Sequence, residues 1–450
     1  MKINQDDYIP RPLHLITRLG ILSIFVFLPF HAFLTAWLGS LISNLDLLRS
    51  WKEILLATVI ISEVIIIYKY KIDVKVLFKD RLIRFLIIFI TFASLMTIYG
   101  VINKNVDMMT GLYGLAQLTR HFLFYIAITI SLLIGISFTE IKKLIIYPAI
   151  VVIGFGLLQL LILPDDFLKH FGYGIGRITL YQTVDSKEAL VRVQSTLLGP
   201  NPLGVYLAFV GSIIFILLAD KSVKKQKYLA VLGLLLITVL IGSFSRTGFV
   251  VLATSLFLIT VLMCRTVKAK KYLAGSLFTI ALITSVIFFS LRHNDTFQNL
   301  VFHTNEKSTS VWSTNEQRID SLNQSLKEVK EEPFGRGVGT AGPTSFRNKL
   351  ASPRIAENYY IQLIQEIGVV GLIIFIVILA LAAKELFSLR ENNYAKAVLG
   401  TLGGLTVAGM FSHLWADDTV SYLFWGTMAI VVFQNSRVIV RTKSENIAKL

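Results

Sequence analysis

The sequence predicts an all-α polytopic membrane protein with about 12 transmembrane helices, both termini in the cytoplasm and one long loop on the outer face. Its apolar residues form blocks of about twenty, the length of a helix that crosses a bilayer. It is 54% hydrophobic and 16% charged, whereas a soluble domain is about 45–50% apolar and about 25% charged. A β-barrel would instead show short segments of alternating polarity.

The first apolar block, 19–38, follows a charged start and has the position of a signal peptide. It is longer than the apolar region of a typical signal peptide and many similar blocks follow, so we interpret it as the first membrane helix. The predicted spans are 19–38, 53–68, 82–100, 112–136, 144–163, 202–219, 228–244, 248–264, 272–291, 358–383, 397–415 and 419–434.

The basic residues set the predicted orientation. With the N-terminus inside, the cytoplasmic segments hold more than half of the 44 Lys and Arg residues, in short loops such as 221–227 and 265–271. Because positive charge concentrates in short cytoplasmic loops, we expect both termini inside. The net charge of +16 is then explained by topology, and no nucleic-acid partner is predicted.

This orientation divides the chain into three parts and places its polar segments outside. Residues 1–291 form a membrane domain with spans 1–9, residues 292–356 a large periplasmic or extracellular loop, and residues 357–450 spans 10–12 with a cytoplasmic tail. Loops longer than about 12–15 residues are uncommon in compact proteins and are usually functional. We therefore expect the protein to work on the outer face of the inner, cytoplasmic membrane.

The large loop predicts an amphipathic surface helix. Ser313 and Glu316 have capping-box spacing, and Pro333 and Gly335 end the pattern. The helix is interpreted either as a structural lid or, through Arg318 near its start, as part of a substrate site. One predicted face carries the apolar side chains, namely Ile319, Leu322, Leu326 and Val329.

A glycine-rich segment, "GRGVGTAG", follows this helix. Gly337, Gly339 and Gly342 satisfy GxGxxG, but no strand precedes them and no soluble βαβ unit surrounds them, which argues against a dinucleotide site. The alternative is a flexible turn that brings backbone N–H groups near an anion.

Arg246 is the only charged residue in the apolar run 228–264. A charge at the centre of a bilayer costs about 2.5–3.5 kcal/mol on insertion scales. The run is nearly twice the length of one span, so we read it as two helices with "FSRTG" at the outer turn. Gly248 is expected to permit the tight turn, and Ser245 and Thr247 to satisfy backbone groups there.

Arginine is the main candidate for substrate binding. Four arginines are predicted outside or at the outer boundary, and guanidinium groups bind phosphate in a bidentate manner. They indicate a membrane-anchored diphosphate, which would need cations as it leaves and a base on the acceptor hydroxyl. Glu357, at the mouth of the tenth span, is the candidate base. The four arginines are Arg192, Arg246, Arg318 and Arg336.

Metal and redox chemistry are not predicted. Cys264 is the single cysteine, so no disulfide framework or CxxC site exists. The pairs Asp165–Asp166 and Asp417–Asp418 are weak metal signals, and we expect the first pair to end a span. His413 is interpreted as a buried hydrogen-bonding residue, and no metal or cofactor is predicted.

An ordered set of motifs resembles the superfamily of O-antigen ligases and Wzy-type O-antigen and exopolysaccharide polymerases, which are bacterial membrane glycosyltransferases of the GT-C type. The motifs are "RVQSTLLGPNPLGVYLAF", "SFSRTGFVVL", "KEEPFGRGVGTA" and "ENYYIQLIQEIGVVGLIIF", the last after the long loop. The resemblance implies metal-independent, inverting transfer of a glycan from undecaprenyl diphosphate to an acceptor hydroxyl. In this family, arginines at the positions of Arg192 and Arg246 engage the diphosphate.

The resemblance leaves two enzyme functions open. Ligases often have His-Asn where this chain has Glu357–Asn358, and this difference favours a polymerase of repeat units over a ligase that transfers finished glycan to lipid A-core or protein. A lipid-linked oligosaccharide flippase is a third, less favoured interpretation, because no internal repeat is evident. A chain-length regulator protein is a candidate partner, beside the lipid-linked oligosaccharide, its glycan or lipid A-core acceptor and the bilayer. Candidate substrate-binding residues are Arg120, Asn201, Arg318, Arg336 and Asn358.

Overall fold

The computed structural model is a bundle of helices with one small β-hairpin, Gln182–Val184 (β1) and Lys187–Arg192 (β2). It describes residues 11–42, 45–138, 140–174, 178–184, 187–220, 223–264 and 314–447. In these ranges the helices are Arg11–Phe27 (α1), His31–Leu41 (α2), Leu45–Arg49 (α3), Trp51–Tyr70 (α4), Arg81–Ile102 (α5), Met108–Leu133 (α6), Ile141–Leu161 (α7), Pro200–Ala219 (α8), Gln226–Gly242 (α9), Arg246–Met263 (α10), Thr314–Glu331 (α11), Tyr359–Ser388 (α12), Asn393–Ala408 (α13) and Asp418–Ile447 (α14).

The helical membrane architecture is confirmed in its coarse form. Seven helical segments in the described ranges are long and apolar enough to cross a bilayer, the first of them formed by α1 and α2 together, and α9 is a shorter apolar helix. Every predicted span other than 272–291, which lies outside the described residues, overlaps helical structure, and the first is divided between α1 and α2. The count of twelve spans, the sides of the termini and the orientation of the loops stay predictions.

The first predicted span is interrupted. A turn of 3₁₀ helix at Leu28–Phe30, with Pro29 inside it, separates α1 from α2. Because proline cannot donate a backbone hydrogen bond within a helix, it favours such a break. The break places His31 at the start of α2, beside Trp51 at the start of α4, whose indole Nε1 donates to His31 Nδ1 at 2.9 Å.

The two helices predicted around Arg246 are present as α9 and α10, but the expected role of Gly248 is wrong. The turn between them has its left-handed residue at Phe244 (φ 48°). Gly248 instead lies where α10 touches α8: a Cβ there would lie 2.6 Å from the Gly204 carbonyl carbon. Ser245 does satisfy a free backbone group, because its Oγ accepts from Gly248 N at 3.1 Å and caps α10.

The α8–α10 contact gives a test of the packing. Gly248→Ala is expected to destabilise the protein by about 1–3 kcal/mol, as overpacking of a tight contact does. Gly154 in α7 is the matched control, since a Cβ there meets nothing within 4 Å, and Ala is favoured over Gly within a helix by about 0.5–1 kcal/mol. Thermal unfolding in detergent measures both, and equal melting temperatures for the two variants would refute the contact.

The glycine-rich segment is packed against neighbouring helices and does not form a flexible turn. Residues 333–337 pair with α12 where its backbone departs from helix at Gly368 (φ 70°, ψ 179°). Arg336 N donates to Gln365 O at 3.0 Å, Gly337 N to Glu366 O at 2.9 Å and Val369 N to Pro333 O at 2.9 Å. Non-helical backbone at membrane depth is tolerated where other parts of the protein satisfy it, and this segment supplies those bonds.

The same segment lies close against α5 and α6. A Cβ on Gly337 would be 2.5 Å from the Gly100 Cα, and one on Gly114 would be 2.9 Å from the Gly339 nitrogen. Gly337 and Gly339 also have positive φ, at 114° and 89°, where a side chain is strained. The glycines are therefore required both for close approach and for backbone conformation.

The surface helix is present as α11, and its predicted apolar face is partly buried. Leu322 and Val329 are half-buried, whereas Ile319 is 57% exposed and Leu326 is also exposed. The helix also docks through polar contacts. Glu328 accepts hydrogen bonds of 2.7 Å from Arg354 Nε and of 2.7 Å from Gln365 Nε2. The apolar period does not predict these polar contacts, because their partners, Arg354 and Gln365, lie far along the chain.

Candidate active site at the loop-bearing end of the bundle

Two predicted site residues, Arg192 and Asn201, are joined by a hydrogen bond. Arg192, at the end of β2, donates through Nη2 to Asn201 Oδ1 at 2.7 Å and through Nε to the Ser243 carbonyl at 3.0 Å. Asn201 lies in the first turn of α8. Arg192 is thus held against the turn that leads directly into Arg246, the first residue of α10.

Arg246 and Glu357 lie at the same end of the bundle. Helices α10 and α13 are antiparallel, because Gly404 meets the Val251 carbonyl while Gly400 meets that of Ser255. One turn beyond Gly404, the end of α13 is level with the start of α10. At that end Gly409 O accepts from Tyr359 N at 2.9 Å, two residues after Glu357.

Glu357 and Asn358 form the entry to α12. Glu357 has φ 47° and is half-buried; left-handed backbone is uncommon for a residue other than glycine. Asn358 Oδ1 accepts from Tyr360 N at 2.9 Å and Ile361 N at 3.1 Å, so it caps the helix. Its role in substrate binding stays a prediction.

A cavity of about 790 Å³ opens at this end, within the range of ligand pockets. One face of α6 forms a wall, from Met109 to Arg120, which is about 16 Å long at 1.5 Å per residue. Asn201 and Pro202 belong to the lining, as do residues 412–414 and 416–419. The exposed residues of the lining include the apolar Met109 and Leu198 and the charged Arg347.

The cavity floor is an ion cluster built around Arg120. Its guanidinium pairs with Glu53 at 2.6 Å and with Asp418. Lys52 Nζ pairs with Asp418 at 2.9 Å and lies 3.2 Å from His31 Nε2. Lys52 is 3% exposed, and buried charges are stable only when paired. Arg120 is therefore oriented before any ligand arrives.

Two titratable groups lie in the link between α13 and α14. Burial lowers the pKa of His413 to about 4, so its imidazole is neutral at neutral pH. Burial raises the pKa of Asp417, although its Oδ1 accepts from Val420 N at 3.0 Å as a cap of α14.

The predicted site residues are thus only partly collected in the cavity. Arg120 and Asn201 line it, and Arg192 bonds to Asn201. Arg336 is not in the lining and pairs with Glu332 at 3.4 Å. The side chain of Arg318 lies outside what the structure describes.

Sequence reasoning missed several lining residues, among them four titratable ones. His31, Lys52 and Glu53 join the floor cluster, and Arg347 lies over the Tyr113 ring, its Cζ 4.4 Å from the ring centroid. Lys52 and Glu53 did give a signal, a charged pair at the entrance of an apolar block. Asp418, considered only as a metal ligand, belongs to the ion cluster, and the described residues include no group of three or more His, Cys, Asp or Glu side chains placed to hold a metal.

Residues 229–376 match a family model described as O-antigen ligase. The match spans about a third of the chain and confirms the resemblance to the O-antigen ligase and Wzy-type polymerase superfamily. With the apolar helices, it supports a multi-pass membrane protein with transferase activity of the ligase or polymerase type. Among curated proteins, none matches the chain significantly.

The floor cluster gives a second test. Asp418→Asn leaves the charges of Arg120 and Lys52 incompletely paired, and breaking a buried pair costs about 3–5 kcal/mol. Because Asp418 is 22% exposed, we expect a loss of about 2–3 kcal/mol, at or below the lower end of that range. Asp165→Asn, at an exposed position, is the control. Thermal unfolding of both variants in detergent measures the loss of stability. An unchanged melting temperature for Asp418→Asn would contradict the role of the cluster.

Proposed function

We propose that this protein is a membrane glycosyltransferase that moves a glycan from undecaprenyl diphosphate to an acceptor hydroxyl on the outer face of the inner membrane. Its favoured reaction is polymerisation of O-antigen or exopolysaccharide repeat units. One observation carries the proposal: Arg192 and Arg246 come to the same end of the bundle, beside a cavity of about 790 Å³, in a chain that matches the O-antigen ligase family model.

The proposal includes the orientation. Loops that the charge pattern predicts outside also contact one another: Asn105 Nδ2 donates to Arg336 O at 2.9 Å, and Arg192 reaches the 243–244 turn. Their clustering supports a common side for all of them. The basic segments 221–227 and 265–271 then face the cytoplasm, and the site faces the periplasm or exterior.

The proposed chemistry is direct displacement at the anomeric carbon. The acceptor oxygen forms the new glycosidic bond, and the bond from the anomeric carbon to the diphosphate oxygen breaks with inversion. The acceptor proton passes to Glu357, and the undecaprenyl diphosphate leaves stabilised by Arg192 and Arg246. The half-buried, left-handed Glu357 is consistent with this role, because strained backbone clusters at functional sites.

Ligase activity is the second candidate. The description of the matching family model names O-antigen ligase, whereas Glu357 stands where ligases often have histidine. Both reactions would share the donor site and differ in the acceptor. A flippase is less favoured, since a transporter has no use for a base beside a diphosphate site.

Purified protein supplied only with lipid-linked repeat units is expected to lengthen the glycan, because donor and acceptor are then the same molecule. Gel separation of the products measures chain length. Transfer that begins only after lipid A-core is added would overturn the polymerase in favour of the ligase. Transfer activity in the same assay is expected to be undiminished by EDTA, and a strict metal requirement would contradict metal-independent transfer.

Arg246→Ala and Glu357→Gln are each expected to lower transfer by at least about 100-fold, the lower bound of what a catalytic base or a charge-stabilising donor contributes. Matched controls are Arg390→Ala and Glu331→Gln, at exposed positions. Initial rates of transfer, normalised to folded protein, make the comparison. Full activity in either site variant would remove that residue from the mechanism.

A further inference from the structure

His413 is a cavity residue that the proposed reaction does not use. It lies in the link between α13 and α14 and belongs to the lining of the cavity. Its Nε2 is buried and has no hydrogen-bond partner among the described residues. Buried polar atoms in proteins are nearly always paired, so an unpaired one in a cavity wall calls for a ligand.

The tautomer of His413 follows from its other nitrogen. Nδ1 lies 2.7 Å from Gln362 Oε1, and an amide oxygen only accepts. Nδ1 therefore carries the proton. With its pKa lowered to about 4 by burial, the ring is neutral at neutral pH, so Nε2 holds a lone pair and is a hydrogen-bond acceptor.

Glu366 fixes the orientation of the Gln362 amide. Gln362 Nε2 donates to Glu366 Oε2 at 3.3 Å, and Gly339 N donates to Glu366 Oε1 at 2.8 Å. Because its two oxygens receive these donors, the Glu366 carboxyl group holds the amide nitrogen on its own side and leaves the amide oxygen for His413. Packing keeps the amide in place, because a Cβ on Gly342 would lie 2.2 Å from Gln362 Nε2.

The lone pair selects the kind of ligand. An ionised diphosphate diester has no hydrogen to donate to Nε2. A hydroxyl group donates, and a saccharide presents many hydroxyls. Asn201, Gln117 and Ser412 in the same lining are neutral polar groups that suit a saccharide as well.

We propose that the cavity is a saccharide subsite in which His413 Nε2 accepts a hydrogen bond from a sugar hydroxyl, and that Glu366, through Gln362, is the positioning residue that fixes the required tautomer. The inference deepens the proposed function, on which it rests for the identity of the sugar as part of the repeat unit. It adds a contact on the glycan to the arginine contacts on the diphosphate.

Two substitutions test the roles of the two ring nitrogens of His413 separately. His413→Asn keeps an amide near the Nδ1 position, and so keeps the bond to Gln362, but removes the acceptor at Nε2. His413→Gln places an amide oxygen near Nε2. His170→Gln, at an exposed position outside the cavity lining, is the control.

The probe is the free oligosaccharide released by mild acid from the source cells' own lipid-linked repeat unit. Calorimetric titration of the detergent-purified protein is expected to give binding about tenfold weaker for His413→Asn, within about threefold of wild type for His413→Gln, and unchanged for the control. Equal affinities in all four proteins, no measurable binding to wild type, or a loss in His413→Gln as large as that in His413→Asn, overturns the subsite.

The role of Glu366 has a spectroscopic readout. In ¹⁵N-histidine-labelled protein, the signal lost in His413→Asn identifies His413, and we expect its Nδ1 to be protonated. In Glu366→Gln the neighbouring amide can donate or accept, so a fraction with protonated Nε2 is expected. Protonated Nε2 in wild type, or an unchanged signal in Glu366→Gln, overturns the positioning role.

The binding and tautomer measurements need no catalytic turnover. If the wild-type protein binds the oligosaccharide through His413 but transfers no glycan, the proposed enzyme function fails and the subsite stands. If it transfers glycan normally and His413→Asn does so with unchanged affinity, the subsite fails and the enzyme function stands.

Discussion

The close approach of residues 333–342 to α5, α6 and α12 is the constraint on which the rest of the site depends. Backbone meets backbone at Gly337 and Gly100, and the segment supplies the hydrogen bonds that α12 loses at its kink. Its backbone N–H at Gly339 donates to the protein's own Glu366 carboxyl group. Through Gln362, this contact also reaches His413 and the cavity.

The cavity combines two environments along the wall of α6. Its floor carries four charged side chains that are mutually paired, so that Arg120 and Lys52 remain in place without a ligand. The rest of the lining carries neutral polar groups and the imidazole of His413, beside the charged Arg49, Arg347 and Asp417. This arrangement fits the proposed substrate, in which a sugar part and an anionic part are joined to a lipid, and the exposed apolar Met109 and Leu198 suit its lipid part.

The sequence predicted the helices well because apolar block length and basic clusters are local signals. It also marked the arginines, since a lone charge in an apolar run such as Arg246 stands out. It did not predict the partner of the glycine-rich segment, the polar docking of α11 or the joining of Lys52 and Arg120 to Asp418, because each depends on residues far apart in the chain. Gly248 shows the same limit, since its need for small size comes from Gly204 on another helix.

In the proposed reaction, donor diphosphate and glycan meet at the loop-bearing end of the bundle. A cryo-electron microscopy structure of the protein in lipid nanodiscs with its lipid-linked repeat unit tests this directly. We expect diphosphate density between Arg192 and Arg246 and sugar density in the cavity beside His413. Diphosphate density at the opposite end, beside the basic segments 221–227 and 265–271, would contradict it.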